Sequence, residues 1–573
     1  MVVDLRLEGG VLDVRKPRAV ACIVALTVAL GSWGGLRAQG SDRRPKLIVL
    51  LMVDQMRGDY IDKFQRQWTS GLRRLLANGA WFRQADYPYL DTVTCAGHAS
   101  VGTGTMPSTH GMVMNGWWDR AKNMEVPCTA DAKVTPISYG KAVAGVGDSA
   151  ATLRASTLAD ELRAHMQPAA HIIGFSLKAR AAIPMAGHRP DAVAWFDDSG
   201  TFVTSTAFTH APVTAVADYI HRHPVEGDFN KVWDRSLPVP AYAYEGTAIG
   251  AHPQPTMTAT FPHSLKGASS MPDRPFYDRW QESPFADEYL ARMALDVAAQ
   301  MRLGQGGGTD MIAISFSTLD KVGHDYGPDS HEVQDVLVRL DRTLGEFLSG
   351  LDRSVGANNY VVALSADHGV SPIAERQRSR GLDGGRIAPV TLEQSAERTL
   401  RRVFGPGKYV SRVVNGDIYL AAGVFDRLLA KPAALDNVSR SLSEIPGIAA
   451  VFTRDRIAAK QVRDKPLGER VMNSFDPERS GDFIVVVKPY WTIRTDGTGH
   501  GSPYGFDTRV PIVLMGKGIV PGEHLAPVSP LDIASTLAFV AGVTLPRAEG
   551  RVLREAFVVT PRRPHDPQAE GRR

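Results

Sequence analysis

Three aspartates and three histidines stand at the ends of apolar runs in this chain. Asp54 follows KLIVLLMV within VDQMRGDY, and Asp320 and His324 follow DMIAISF within STLDKVGHDYG. Asp367 and His368 follow NYVVALSA within SADHG, and His500 lies in GTGHGSPYGFD shortly before VPIVLMG. Carboxylate and imidazole are ordinary ligands of borderline divalent metals, Zn²⁺ above all. Asp320 and His324 share one face if their segment is helical. Six such ligands exceed what one tetrahedral ion takes and suit two. Taken singly, each has a plainer explanation: an Asp after a strand caps a helix, and an i, i+4 Asp–His pair sits on a surface.

A second reactive stretch is DTVTCAGHASVGTGTMPSTHGMVMNGWWD, residues 91–119, rich in small hydroxyl residues and poor in aliphatic bulk. A threonine or serine hydroxyl is a weak nucleophile until bound metal stabilises its alkoxide. Thr92, Thr94, Ser100, Thr103 and Thr105 all compete for that role, and their types alone do not rank them. In SLKARAA, Lys178 and Arg180 would point the same way if extended, making a basic pair suited to an anion. His98 and His110 read as structural, Trp117 and Trp118 as packing, and His188 as ordering the Lys/Arg loop or a sheet edge.

Strands are needed to bring these positions together. The runs at 46–53, 170–177, 192–196, 310–316, 359–366, 482–488 and 510–516 are continuously apolar, as strands buried on both faces require. Amphipathic helical patterns at 285–303, 331–351 and 529–543 alternate with them. The expectation is an α/β fold with a mostly parallel central sheet flanked by helices on both faces, its ligands collecting at the carboxyl ends of the strands. The polar residues cluster there. Residues 39–374 and 491–559 form the expected main domain, with an irregular excursion at about 200–280 and an inserted α+β subdomain at 375–490.

The 573 residues carry 65 basic and 61 acidic side chains, so no charge footprint points to nucleic acid or an anionic membrane. Arg15, Lys16 and Arg18 precede the apolar stretch 19–36 and the small residue Ala38, the order of a signal peptide over residues 1–38 and hence of a periplasmic or secreted protein. An uncleaved anchor is the alternative. The tail 560–573 reads as disordered. Cys95 and Cys128 remain after the signal, and their pairing stays open.

As an ordered set, VDQMRGDY, TCAGHAS, HGMVMNGWWD, SLKARAAIPMAGH, STLDKVGHDYGP, SADHG and GHGSPYGFDTRVP resemble the alkaline phosphatase superfamily over about residues 46–545. They look most like its secreted, phosphate-irrepressible members with a threonine nucleophile, which are related to the nucleotide pyrophosphatase/phosphodiesterases. The resemblance implies an alkaline-phosphatase-like fold and two zinc ions per chain. Asp320, His324 and His500 would hold one; Asp54, Asp367, His368 and Thr94 would hold the other. It also implies Thr94 as nucleophile, with Asn115, Lys178 and Arg180 binding phosphate. The expected activity is hydrolysis of small-molecule phosphate monoesters through a phosphothreonine, with weaker diesterase activity. The alternatives are a nucleotide pyrophosphatase/phosphodiesterase, which lacks the Lys/Arg pair, and a non-catalytic zinc- or phosphate-binding relative, which would have lost a ligand. Natural substrate and oligomeric state stay open.

Overall fold

The computed structural model describes residues 44–557 apart from 245, 247–249 and 256. The expected signal peptide and C-terminal tail lie outside the described residues. The labelled elements of the first half are β1 (Leu47–Val53), β2 (Gly79–Asp86), α1 (Thr94–Thr103), β3 (Gly116–Asp119), β4 (Met124–Pro127), β5 (Pro136–Ser138), β6 (Ile172–Ser176), α2 (Ala179–Ala186), β7 (Ala192–Asp197) and β8 (Thr201–Ser205). Then come α3 (Pro284–Gln300), β9 (Asp310–Phe316), α4 (Thr318–Tyr326), α5 (His331–Ser354), β10 (Tyr360–Ser365) and α6 (Pro389–Phe404). The last are β11 (Val410–Val414), β12 (Asp417–Leu420), α7 (Pro432–Ser443), β13 (Ile448–Thr453), β14 (Phe483–Val487), β15 (Arg509–Gly516), β16 (Gly522–His524) and α8 (Asp532–Ala541).

A ten-stranded sheet runs in the order β16-β2-β15-β10-β1-β9-β6-β7-β8-β5 and is flanked by helices. Its centre, β10-β1-β9-β6-β7, is parallel throughout, with Leu47 opposite Asp310 on one side and Tyr360 on the other. Every residue of β1 is buried, which is why LIVLLMV carries no alternation. Both flanks add antiparallel strands: β15 against β10 and β2, and β8 against β7 and β5. VPIVLMG therefore joins the sheet in the opposite direction to the other central runs.

DFIVVVK, within the 375–490 span of the expected inserted subdomain, does not join them. It forms β14 in a separate four-stranded sheet, β11-β12-β14-β13, with antiparallel neighbours. Its run is continuously apolar because each face meets a different cluster. Phe483, Val485 and Val487 pack with Leu392 and Leu400 of α6 and Val438 of α7, whereas Ile484 and Val486 pack with Leu90, Phe452 and Val471. The stretch at 200–280 contains β8, a helix at Thr214–Arg222, a two-stranded antiparallel ribbon of Val232–Trp233 with His263–Ser264, and most of a helix at Arg274–Gln281.

Candidate active site

Within the hydroxyl-rich stretch 91–119, residues 94–103 fold into α1, whose first residue is Thr94. Val93 supplies the extended cap and Gly104, at φ 69°, the left-handed stop. Gly97 brings α1 against the SADHG loop, since a Cβ there would collide with the Asp367 backbone. Thr94 is 1% exposed, and its Oγ1 lies 3.5 Å from His368 Nε2.

Around that hydroxyl the structure assembles all six metal-type side chains. Asp320 and His324 stand on one face of α4, with His324 Nε2 at 3.2 Å and His500 Nε2 at 3.6 Å from Asp320 Oδ1. His368 Nε2 lies 3.4 Å from Asp54 Oδ1 and 3.1 Å from Asp367 Oδ2. The His368 and His500 rings stack at 3.5 Å, so the two groups adjoin. Asp320 takes part in both: Asp320, His324 and His500 converge as one set, and Asp54, Asp320 and His368 as the other.

The fit to a metal is visible in the hydrogen bonding. Each histidine directs Nδ1 at a main-chain carbonyl: His324 at Thr498, His368 at Gly369 and His500 at Thr92, over 2.8, 2.9 and 2.8 Å. A carbonyl only accepts, so Nδ1 carries a proton and Nε2 is the ring nitrogen turned toward the carboxylates. Asp54 Oδ1 and Asp367 Oδ2 are buried with no hydrogen-bond donor among the described residues. Ligand atoms ~2.0–2.2 Å from a tetrahedral ion stand a little over 3 Å from one another, the spacing found here.

The electrostatics point the same way. Burial, reinforced by Asp320 and Asp367, raises the Asp54 pKa to about 7. Burial alone would raise Asp320 and Asp367 too. Lys178 and His324 instead hold Asp320 well below the usual carboxylate value, and His368 and His98 do so for Asp367. Burial, with His368 and His324 alongside, pushes His500 well below an ordinary histidine. Three buried carboxylates thus crowd a space that suits added positive charge.

The phosphate-type residues are placed as follows. Asn115 Oδ1 accepts the Cys95 N–H at 2.8 Å, and its Nδ2 has no hydrogen-bond partner among the described residues. Lys178 is 7% exposed; its ammonium lies 2.5 Å from Asp54 Oδ2 and also pairs with Asp320. Arg180 has a buried Nε with no hydrogen-bond partner among the described residues. The extended path on which both cations would point the same way is not what forms. Lys178 is extended, but the helix-forming ARAAIPMA begins α2 at the next residue, so Arg180 sits in its first turn.

Gln55 escaped the sequence reading. Its Nε2 donates to Asp320 Oδ1 at 2.7 Å, and its backbone N–H donates to Asp367 Oδ1 at 3.1 Å, so one residue ties both groups together. It does so in the left-handed region, at φ 71°. Adjacency to Asp54 was its only signal. His98 bonds the Thr94 carbonyl and Ser315, and His110 bonds Ser100, both as braces of α1. His188 bonds Asp160, tying the end of α2 to the helix Leu158–His165. Trp117 is buried under the Arg479 guanidinium. Cys95 and Cys128 are joined as a disulfide.

The sequence profile of the family described as Type I phosphodiesterase / nucleotide pyrophosphatase matches residues 48–507. Alkaline phosphatase PafA of Elizabethkingia meningoseptica is 31% identical over 532 residues, 90% of this chain and 95% of that protein. Alkaline phosphatase PhoV of Synechococcus elongatus is 28% identical, over 89% of this chain and 92% of that one. The crystal structure of PafA superposes with a TM-score of 0.82 at 30% identity, covering 90% of this chain and 99% of that one. A solved PafA variant is substituted at a threonine, an asparagine, a lysine and an arginine. Its threonine-to-asparagine and lysine-to-arginine intervals equal those from Thr94 to Asn115 and from Lys178 to Arg180. The chain belongs to the type I phosphodiesterase/nucleotide pyrophosphatase family of phosphoesterases and stands with its alkaline phosphatase members.

Proposed function

We propose that this enzyme is a di-zinc alkaline phosphatase that hydrolyses small-molecule phosphate monoesters through Thr94. The observation that carries this reading is the buried Thr94 hydroxyl at the start of α1, facing two adjoining carboxylate–imidazole groups. Asp320, His324 and His500 would hold one ion, and Asp54, Asp367 and His368, with Thr94, the other. Bound zinc supplies Lewis acidity, favouring the alkoxide of an attacking hydroxyl and the charge on a departing oxygen.

The chain's own residues do the rest. Thr94 Oγ1 attacks phosphorus, the bond from phosphorus to the ester oxygen breaks, and the threonine proton leaves with the alcohol. Water then attacks the phosphothreonine, restoring the Thr94 hydroxyl and releasing phosphate. The α1 N-terminus faces the anion with its positive end. Asn115 Nδ2, free because Oδ1 is engaged, donates to a non-bridging oxygen; Arg180 and Lys178 add charge-assisted contacts. A monoester dianion gains more from these cations than a diester monoanion, so diesterase activity is expected to be the weaker.

Export to the periplasm or medium is part of the same reading, supported by the N-terminal pattern and by a disulfide, a bond of oxidising compartments. Among the described residues no helix is long and apolar enough to cross a membrane. Thr94→Ala, assayed on p-nitrophenyl phosphate and on its bis ester, is expected to lose activity on both with its zinc retained. Undiminished monoesterase activity in that variant would break the mechanism, and a wild-type preference for the bis ester would move the chain to the nucleotide pyrophosphatase/phosphodiesterase reading. Full activity with well under two equivalents of zinc would overturn the metal assignment.

A further inference from the structure

The residue after Thr94 is a disulfide cysteine, and its partner belongs to the segment that carries Asn115. Three links join the two segments. The Cys95 and Cys128 sulfurs are bonded across a separation of 33 residues. The Cys95 N–H donates to Asn115 Oδ1 at 2.8 Å, and the Cys128 N–H donates to the Asn115 carbonyl at 3.0 Å. The links close a ring: from Cys95 through the two sulfurs to Cys128, through its main chain to Asn115, and through the Asn115 side chain back to Cys95. Both cysteines are fully buried, among Met112, Val113, Met114 and Leu153. The Cys128 carbonyl is held in turn by Thr152 Oγ1.

This ring has a chemical direction. An N–H can only donate, so the Cys95 amide settles which end of the Asn115 side chain faces α1. Nδ2 is left with no hydrogen-bond partner among the described residues. Asn115 lies at the loop end that leads into β3, and β3 pairs only with β4, a two-stranded hairpin whose outer strand ends at Pro127 beside Cys128. A two-stranded ribbon is a weak brace by itself. Beyond the main chain itself, the sulfur bridge is the covalent tie among the described residues between that hairpin and the first turn of α1.

We propose that the Cys95–Cys128 disulfide is a positioning element for Asn115, holding its amide at a fixed offset from the Thr94 hydroxyl, and that opening it costs turnover specifically through Asn115. The proposal rests on the phosphatase reading above, in which Asn115 contacts the phosphoryl group.

The test is a double-mutant cycle on zinc-loaded full-length protein with p-nitrophenyl phosphate. The variants are Cys95→Ala with Cys128→Ala, Asn115→Ala, and all three together. Loss of the disulfide is expected to lower kcat/KM by about 10- to 100-fold, as misplacement of a positioned group by ~1 Å does. In the Asn115→Ala background the same change is expected to cost less than about twofold, because the group it positions is already gone. Zinc content and the far-ultraviolet spectrum are expected to stay as in the wild type. An equal loss in both backgrounds would overturn the proposal, since the bond would then act on the site at large. No loss in the Asn115-containing background would overturn it as well. Cys128→Ala alone breaks the bond with a smaller change, and failure of both cysteine variants to fold would also refute the idea by giving the bond a purely architectural role. Wild-type protein without monoesterase activity would instead defeat the functional reading, so the two failures are distinguishable.

Discussion

His110 is buried without a charge, and that makes the scaffold around Thr94 sensitive to acid. Its Nδ1 accepts the Met112 N–H at 3.0 Å, so the ring proton is on Nε2, 3.1 Å from Ser100 Oγ on α1. A second proton would have to go on Nδ1, breaking the Met112 bond. Burial, then the nearby Arg479 guanidinium, lower its pKa from 6.5 to about 3. The unfolded chain therefore binds a proton between these values that the folded chain refuses. This contribution to stability is complete above pH 6.5 and is lost as pH falls, at up to about 1.4 kcal/mol per unit. From pH 6.5 to pH 5 that amounts to about 2 kcal/mol. The perturbation is His110→Gln, whose carbonyl can accept from Met112 while its amide donates to Ser100, with no proton to gain. Urea midpoints at pH 7.5 and 5.0, on protein freed of metal so that metal loss does not enter, measure the difference. The wild type is expected to lose about 2 kcal/mol more than the variant over this interval. Equal losses would refute the assignment of a neutral, proton-refusing His110.

Three further outcomes follow from the site. Arg180→Met is expected to lower kcat/KM for the monoester by about 10- to 100-fold and for the diester by less, which parallel assays check; an unchanged ratio would remove Arg180 from phosphate recognition. Gln55→Leu takes a donor from Asp320 and is expected to weaken zinc retention by about 10- to 100-fold, read by competition with a chromogenic chelator. Gly97→Ala forces a methyl group onto the Asp367 backbone and is expected to cost about 1–3 kcal/mol of stability, seen in the urea midpoint, together with activity.

The parallel centre of the sheet was legible because β1, β6, β9 and β10 are buried on both faces and read as unbroken apolar runs. The same property holds for β14 in the smaller sheet, which is sandwiched between clusters on its two faces; apolar continuity reports two-sided burial and not which sheet provides it. Side chains at strand ends marked Asp54, Asp320, Asp367 and His368 as a group, since parallel strands deliver their carboxyl ends to one edge. The helical start at Ala179 was hidden by the basic residues flanking it, which drew attention to charge and not to propensity. Gln55 was invisible for a different reason: its role comes from a left-handed backbone and two partners hundreds of residues away, neither of which leaves a local pattern.

The three site histidines take their orientation from the carbonyls of Thr92, Gly369 and Thr498. The acceptor in each of those three bonds is main chain, not a side chain. Substitution at positions 92 or 498 can alter what surrounds the rings while the ring-nitrogen assignment survives, provided the chain path is kept, whereas a side chain at Gly369 would meet the Phe506 carbonyl. The polarity of this centre is thus written into the course of the polypeptide, and the flanking sequence is free to drift without reversing it.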